Sequence, residues 1–283
     1  MIKIFALPGA GSSAITYYRW IAHLPSMFVI SPLDLPGRGM KIKENKIFDN
    51  KALINHLYTH ICEKMTNEND DYVLVGNSFS SILAIQLCKK IEEEKHIKNP
   101  KHLFLAVEPP PNILQQRKKM SEDIQRKDFV KRVINKFFED SVISVDKRNL
   151  VLDWILETLY NDKPYFLQLH EEDIYQKIFT SHETMDQAVL ELLSFIIHHL
   201  HMFLEDENII HGIVPQNLTI STDIAVIGAM DDEVASEAEL KEWEQFTNGN
   251  FGLHMFPGEH TILYDNPSLI INRIKEVLDR KYE

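Results

Sequence analysis

Cysteine is nearly missing from this chain of 283 residues, which carries only Cys62 and Cys88. Each lies in an apolar helical pattern. Two such thiols make no disulfide framework, so a reducing compartment, the cytoplasm, is expected. Basic residues are in deficit: 30 Lys and Arg stand against 42 Asp and Glu, for a net charge of −12. Sequence-independent nucleic-acid binding needs basic surface to neutralise phosphates, and this balance argues against it. No charged segment followed by a long apolar stretch opens the chain. MIKIFALPG runs straight into a strand, so no signal peptide is expected. No run of about 18 apolar residues is evident, so no membrane span is expected either. Internal repeats, low-complexity tracts and flexible interdomain linkers are also lacking.

What the chain does contain is alternation. Ile2–Leu7, Met27–Leu33, Tyr72–Val75, His102–Val107, Ile224–Ile227 and Phe251–Phe256 read as strands. Most are continuously apolar, as strands covered on both faces must be. Helical patterns lie between them. Leu53, Ile54, Leu57, Tyr58 and Ile61 follow Asn50, a candidate cap, and Ser236 with Glu239 makes a capping-box pattern. Ile270, Ile271, Ile274, Val277 and Leu278 form one face of a last helix opened by Asn266-Pro267. This alternation predicts an α/β fold with a mostly parallel, doubly wound sheet. About a hundred residues separate the fourth and fifth strands, too many for a structureless loop. Their stripes are helical: Phe129, Val130, Val133, Ile134, Phe137 and Phe138, then Val151, Leu152, Ile155, Leu156 and Leu159, then Met185 to Leu204. The expected organisation is a core of residues 1–108 and 217–283 with a helical lid insertion at 109–216.

The strongest local signal is Tyr72-Val-Leu-Val-Gly-Asn-Ser-Phe-Ser80, followed by an apolar helix. Strand, sharp turn and helix with a serine at the apex approximate the Gly-x-Ser-x-Gly nucleophile elbow. The turn strains the serine backbone, so residues two positions away must be small. Gly76 meets this, and Ser80 stands where a second glycine is usual. The Phe79 N–H then opens a helix and can face a developing oxyanion. An acid and a histidine follow Ser78 in the order this elbow requires. Asp231 comes just after strand Ile224–Ile227, and His260 just after strand Phe251–Phe256. Both sit at the same strand ends as Ser78, where an imidazole can take the serine proton and a carboxylate can fix its tautomer. Placement favours Asp231 over its neighbour Asp232, which stays as the alternative. Glu108, before Pro109-Pro110-Pro111, is a third acid and reads as a solvated residue. The glycine-rich turn Leu7-Pro-Gly-Ala-Gly-Ser-Ser13 brings the Ala10 N–H in as a second oxyanion donor. It lacks a full phosphate-binding pattern.

With these residues in view, the chain resembles the type II thioesterases of nonribosomal peptide and polyketide synthases. The resemblance rests on LPGAGSSAITYYRW (Leu7–Trp20), LDLPGRGMK (Leu33–Lys41), VGNSFSS (Val75–Ser81) and the block Val226–Leu263. It implies an α/β-hydrolase core with a helical lid, and hydrolysis of acyl groups from the phosphopantetheine thiol of a carrier protein. The family's triad falls on Ser78, Asp231 and His260, and its oxyanion donors on Ala10 and Phe79. Where the family elbow reads Gly-His-Ser-Met-Gly, Asn77 and Ser80 stand here. The family's Arg-Ala-Asp motif is not recognisable near Ser194–Leu204.

Such chemistry needs no cofactor and no metal. His198 and His201 share a helix face but lack a third ligand, and read as lid-helix residues. Arg38 reads as a turn residue, with a phosphate contact as the alternative. A general or fatty-acyl hydrolase acting on free small substrates, and a silent hydrolase fold serving as a binding module, are the competing functions. The stretch from Arg117 to Lys136 is basic in an otherwise acidic chain. Arg117, Lys118, Lys119, Lys127, Lys131 and Arg132 are candidates to dock an acidic carrier protein.

Overall fold

The apolar runs become six strands, all paired in parallel: β1 (Ile2–Leu7), β2 (Phe28–Pro32), β3 (Asp71–Asn77), β4 (Leu103–Ala106), β5 (Ile224–Ala229) and β6 (Phe251–Phe256). Their order across the sheet is β2-β1-β3-β4-β5-β6. The computed structural model from which this is read describes residues 1–279 except 66, 68, 69, 120–130, 132, 133, 136, 139–142, 162–165, 180–186, 211, 212 and 214–216. The α-helices are α1 (Asn50–Lys64), α2 (Ser80–Glu94), α3 (Pro111–Lys119), α4 (Val145–Asn161), α5 (Glu171–Ile178), α6 (Gln187–Ile210), α7 (Glu237–Lys241), α8 (Ile262–Asp265) and α9 (Pro267–Asp279). A 3₁₀ segment, Ala14–His23, follows β1.

Because side chains alternate along a strand, the central strands serve two cores. Phe5, Leu7, Leu74, Leu105 and Val226 pack with α1 and α2 on one face. Ile4, Ala6, Val73, Val75, Phe104 and Ile227 pack with the 3₁₀ segment and α9 on the other. Double coverage is what made the strands read as unbroken apolar runs, and the α/β-hydrolase architecture expected from them is the one found. The strand order reverses between β1 and β3, so their C-terminal ends flank the switch point where such sheets open a crevice. One cap differs from the sequence reading. Asp49, not Asn50, caps α1 by accepting the Ala52 N–H at 2.7 Å, while Asn50 exchanges amide hydrogen bonds with Gln86.

Two compact units emerge: Met1–Met120 with Glu205–Glu283, and Ser121–Leu204. The second is narrower than the expected 109–216 insertion. The reason is packing, since Leu114, Ile209, Ile210 and Ile213 join the core beside the sheet. The second unit has its own core, in which Ile134, Phe138, Val151, Leu152 and Ile155 meet Leu193, Ile196, Ile197 and Leu200. Phe129, Val130 and Val133 of the first stripe lie outside the described residues. Contrary to the reading of the sequence, α6 is long and apolar enough by length and composition to cross a membrane. Its Val189, Leu193, Ile196, Ile197 and Leu200 are buried in the second unit's core, and its Asp206 is buried in an ion pair with Arg38. That is the pattern of a protein-core helix.

The seat of α2 on β3 depends on Gly76. A Cβ there would meet Ser80 O and Ser81 Cα at 2.7 Å and Ala84 Cβ at 2.8 Å. Two of these are backbone atoms that cannot swing away. Gly76→Ala is therefore expected to destabilise the fold by about 1–3 kcal/mol through overpacking. Urea denaturation checks this, and an unchanged midpoint would show that the helix can shift at no cost.

Candidate active site

Ser78 and Phe79 form the turn between β3 and α2, and the φ of Ser78 is +50°. A non-glycine residue rarely adopts this conformation, so the surroundings must enforce it. They do so with hydrogen bonds. The Ser78 N–H donates to Ala106 O at 2.9 Å, and its carbonyl accepts the Ser81 N–H at 2.7 Å. Ser81 Oγ donates to Gly76 O at 3.1 Å and accepts the Ala106 N–H at 3.2 Å. The Ser80 hydroxyl, fully buried, donates to Pro8 O and so ties the elbow to the turn after β1. Ser80 is thus small enough for the turn and adds a bond that a glycine could not make.

His260 and Ser78 are brought together across 182 residues of sequence: His260 Nε2 lies 2.9 Å from Ser78 Oγ. On the other side of the ring, His260 Nδ1 lies 3.1 and 3.0 Å from the two oxygens of Asp232. The carboxylate against His260 is therefore that of Asp232, not that of Asp231 as placement in the sequence favoured. The Asp231 N–H is tied to Gly258 O at 2.9 Å, and its side chain is exposed. The turn then carries the next residue inward. The Asp232 side chain is fully buried, and its Oδ1 accepts the Val234 N–H at 2.8 Å. With Nδ1 facing a carboxylate, the imidazole presents Nε2 as the acceptor toward the serine.

The turn after β1 is held from both ends. The Gly9 N–H donates to the Tyr264 hydroxyl oxygen at 3.0 Å, which also accepts from Asn77 Nδ2 at 2.7 Å. Asn77, in the place of the family's histidine, thereby joins the elbow to this turn. The Gly11 N–H donates to Asp206 Oδ2 at 2.8 Å. Among the described residues neither the Ala10 N–H, between these two anchored amides, nor the Phe79 N–H at the start of α2 is engaged by a hydrogen bond. Asp206 itself is held by a bidentate pair with Arg38, both bonds at 2.6 Å, with the carboxylate wholly buried. Removing one partner of such a pair typically costs about 3–5 kcal/mol, because the other charge is left buried. Arg38 is structural, as its turn suggested. Asp206 was not among the residues singled out in the sequence, and it lies just beyond Ser194–Leu204, where the family's Arg-Ala-Asp motif is not recognisable.

Glu108 is not the solvated residue expected before three prolines. Its exposure is 7%, and its Oε2 lies 3.3 Å from Ser78 Oγ. The cause lies one residue earlier. Val107 has φ +51°, an outlier for a β-branched residue, and this turns the chain back at the end of β4. The Trp243 Nε1–H fixes the turned backbone by donating to Glu108 O at 2.7 Å. Burial pushes the Glu108 carboxyl up from 4.5 to about 7, against the lowering effects of His260, the Ser78 hydroxyl and Arg117.

Residues outside this cluster behave as follows. His201 hydrogen-bonds Phe166 O within the second unit at 2.9 Å. Arg117 is paired with Glu239 at 2.5 Å. Lys131 is exposed, and Lys127 and Arg132 lie outside the described residues, as do the side chains of Lys118 and Lys119.

A nucleophile elbow on a six-stranded parallel sheet, with serine, histidine and aspartate in register at the strand ends, defines the class as an α/β-hydrolase. The chain belongs to the thioesterase domain family, whose model matches residues 2–278. It is similar, at 22% identity over 98% of this chain and 88% of the other, to a Brevibacillus parabrevis protein named linear gramicidin dehydrogenase LgrE. The rat S-acyl fatty acid synthase thioesterase, medium chain, is 21% identical over 99% of this chain and 89% of its own. Among solved structures, YbtT, a type II thioesterase from the yersiniabactin NRPS/PKS biosynthetic pathway, shares the fold. Its TM-score is 0.62 at 12% identity, covering 100% of this chain and 94% of its own.

The state of Glu108 has a consequence for stability. A carboxyl whose folded value is raised from 4.5 to about 7 holds its proton more tightly when folded. Stability is then fully present below the lower value and is lost as pH rises through the higher one, by roughly 3 kcal/mol at ~1.4 kcal/mol per unit. Glu108→Gln lacks this titration. Its stability relative to the native chain is expected to rise across that window in chemical denaturation, whereas a constant difference would show that Glu108 titrates normally.

Proposed function

We propose that this thioesterase is a serine hydrolase that removes acyl groups from the phosphopantetheine arm of carrier proteins, clearing a nonribosomal peptide or polyketide assembly line. The observation that carries the mechanism is the line from Ser78 Oγ through His260 to Asp232, with separations of 2.9 and 3.0 Å. The carrier-protein substrate is supported by the relatives, whose names tie them to gramicidin, to a fatty acid synthase and to an NRPS/PKS pathway.

The reaction runs in two halves. Ser78 Oγ attacks the thioester carbonyl carbon while its proton passes to His260 Nε2. The carbonyl oxygen takes the displaced electron pair and is held by the Ala10 and Phe79 N–H groups. As the carbonyl reforms, the C–S bond breaks and the thiol leaves with the proton from His260. Water then gives a proton to His260, attacks the acyl-Ser78 ester, and releases the acid, while Ser78 recovers its proton. Asp232 stays ionised throughout and stabilises the imidazolium. No cofactor enters the scheme.

The basic stretch beginning at Arg117 is the proposed docking surface for the carrier. Arg117 itself is occupied by Glu239, and Lys131 is exposed.

Ser78→Ala should lower thioester hydrolysis by about three orders of magnitude or more. Asp232→Asn should cost about 10³–10⁴-fold, while Asp231→Asn stays close to the native rate. Turnover of Ser78→Ala near the native level would sink the nucleophile, and the reverse order of the two aspartates would restore Asp231. Acyl-carrier protein should be preferred over the same acyl group on a free small thiol. Reversing Lys127, Lys131 and Arg132 to Glu should weaken turnover of the carrier substrate alone. Equal rates on both substrates would favour a hydrolase of free acyl esters.

A further inference from the structure

Ser78 Oγ touches two groups that titrate, yet the triad uses only one. His260 Nε2 stands 2.9 Å from it and Glu108 Oε2 stands 3.3 Å from it. The serine hydroxyl has one proton to donate and lone pairs to accept with. If Glu108 is ionised and His260 neutral, both neighbours are acceptors and compete for that single proton. If Glu108 is neutral, its O–H can donate to Oγ and leave the serine proton to His260. The two contacts are then satisfied together, in the order the attack needs.

Glu108 is not beside Ser78 by accident of a loop. Two adjacent strands, β3 and β4, end in the same uncommon backbone conformation, φ +50° at Ser78 and +51° at Val107. Strain at a β-branched residue persists only where the surroundings over-determine it. Here Ile227 O accepts the Val107 N–H at 2.9 Å, and Trp243 clamps the Glu108 carbonyl. The charged or titratable groups acting on the Glu108 carboxyl are His260, Ser78, Arg117 and Glu207. Arg117, the cation among them that is always charged, is itself in an ion pair with Glu239.

We propose that Glu108 is a further catalytic residue of this site: as a neutral acid it donates a hydrogen bond to Ser78 Oγ and directs the serine proton to His260, and its ionisation diverts that proton and stops the attack. The proposal rests on the assignment of Ser78 as nucleophile. No atom is gained or lost in the step. Glu108 keeps its proton through the attack, and the serine proton goes to His260 as in the unaided triad. An ionised carboxylate at the same place would also oppose the negative charge that develops on the substrate carbonyl oxygen. The raised carboxyl value of about 7 puts the change within reach of ordinary buffers.

The test is the pH dependence of Ser78 acylation, read with an uncharged fluorophosphonate probe on the full-length chain and confirmed by kcat/KM for a small acyl thioester. In the native chain both rates should fall about tenfold per pH unit on the alkaline side of the Glu108 midpoint. Glu108→Gln, whose amide donates at every pH, should lose that alkaline fall. Glu108→Asp, which keeps an acid but withdraws it by a methylene, should keep a fall with a displaced midpoint. A native rate that holds steady into alkali overturns the proposal without reference to any variant. So does an alkaline fall that is unmoved in either variant that folds. Failure of the probe to label native Ser78 at any pH overturns the nucleophile assignment itself, whereas labelling with an unaltered alkaline profile overturns Glu108 alone.

Discussion

The site depends on one strained residue. Ser78 is held at φ +50°, which costs of order 1–3 kcal/mol for a side chain other than glycine. That conformation lifts the hydroxyl out of the sheet and puts the next amide at the start of α2. Its maintenance explains several otherwise unrelated features. Gly76 has no side chain because α2 crosses it at contact distance, and Ser81 bridges the Gly76 carbonyl and the Ala106 amide. Ser80 fastens the elbow to Pro8, and Asn77 fastens it to Tyr264, which also holds Gly9. The elbow and the turn after β1 are thus one hydrogen-bonded piece. The Ser78 hydroxyl and the Ala10 and Phe79 amides are thereby carried by one hydrogen-bonded scaffold.

Two carboxyl groups lie within one residue's reach of the nucleophile, and their surroundings separate their roles. Asp232 accepts a backbone N–H from Val234 and faces His260 Nδ1. Glu108 is as deeply enclosed, and there desolvation outweighs the lowering effects of His260, the Ser78 hydroxyl and Arg117. Further out, Asp206 pairs with Arg38 and also accepts the Gly11 N–H, so a buried pair holds the far end of the turn after β1.

The fold was legible because a doubly covered parallel strand must be apolar on both sides, as the central strands β1, β3, β4 and β5 are. Ser78 and His260 were legible because each directly follows such a run. What the sequence hid were decisions made within a turn or across great separations. Asp231 and Asp232 are adjacent, and only the bond from the Asp231 amide to Gly258 decides which carboxylate turns inward. Glu108 sits before three prolines, a solvated context by composition. It is buried by a positive φ at Val107 and by a tryptophan 135 residues later. Asp206 finds Arg38 across 168 residues, so nothing local marks it. The boundary of the second unit moved for a similar reason. Leu114 and Ile209 look like members of the insertion in sequence but pack beside the sheet.

The central claim is that the acyl group passes through Ser78 on its way from thiol to water. The direct measurement is rapid-quench mass spectrometry of the chain mixed with an acyl thioester on a phosphopantetheine-bearing carrier protein, followed by peptide mapping. A transient mass increase equal to the acyl group is expected, confined to the peptide that contains Ser78 and absent in Ser78→Ala. Release of acid at the full rate with no acyl group ever found on Ser78, or with the acyl group on another residue, would contradict it.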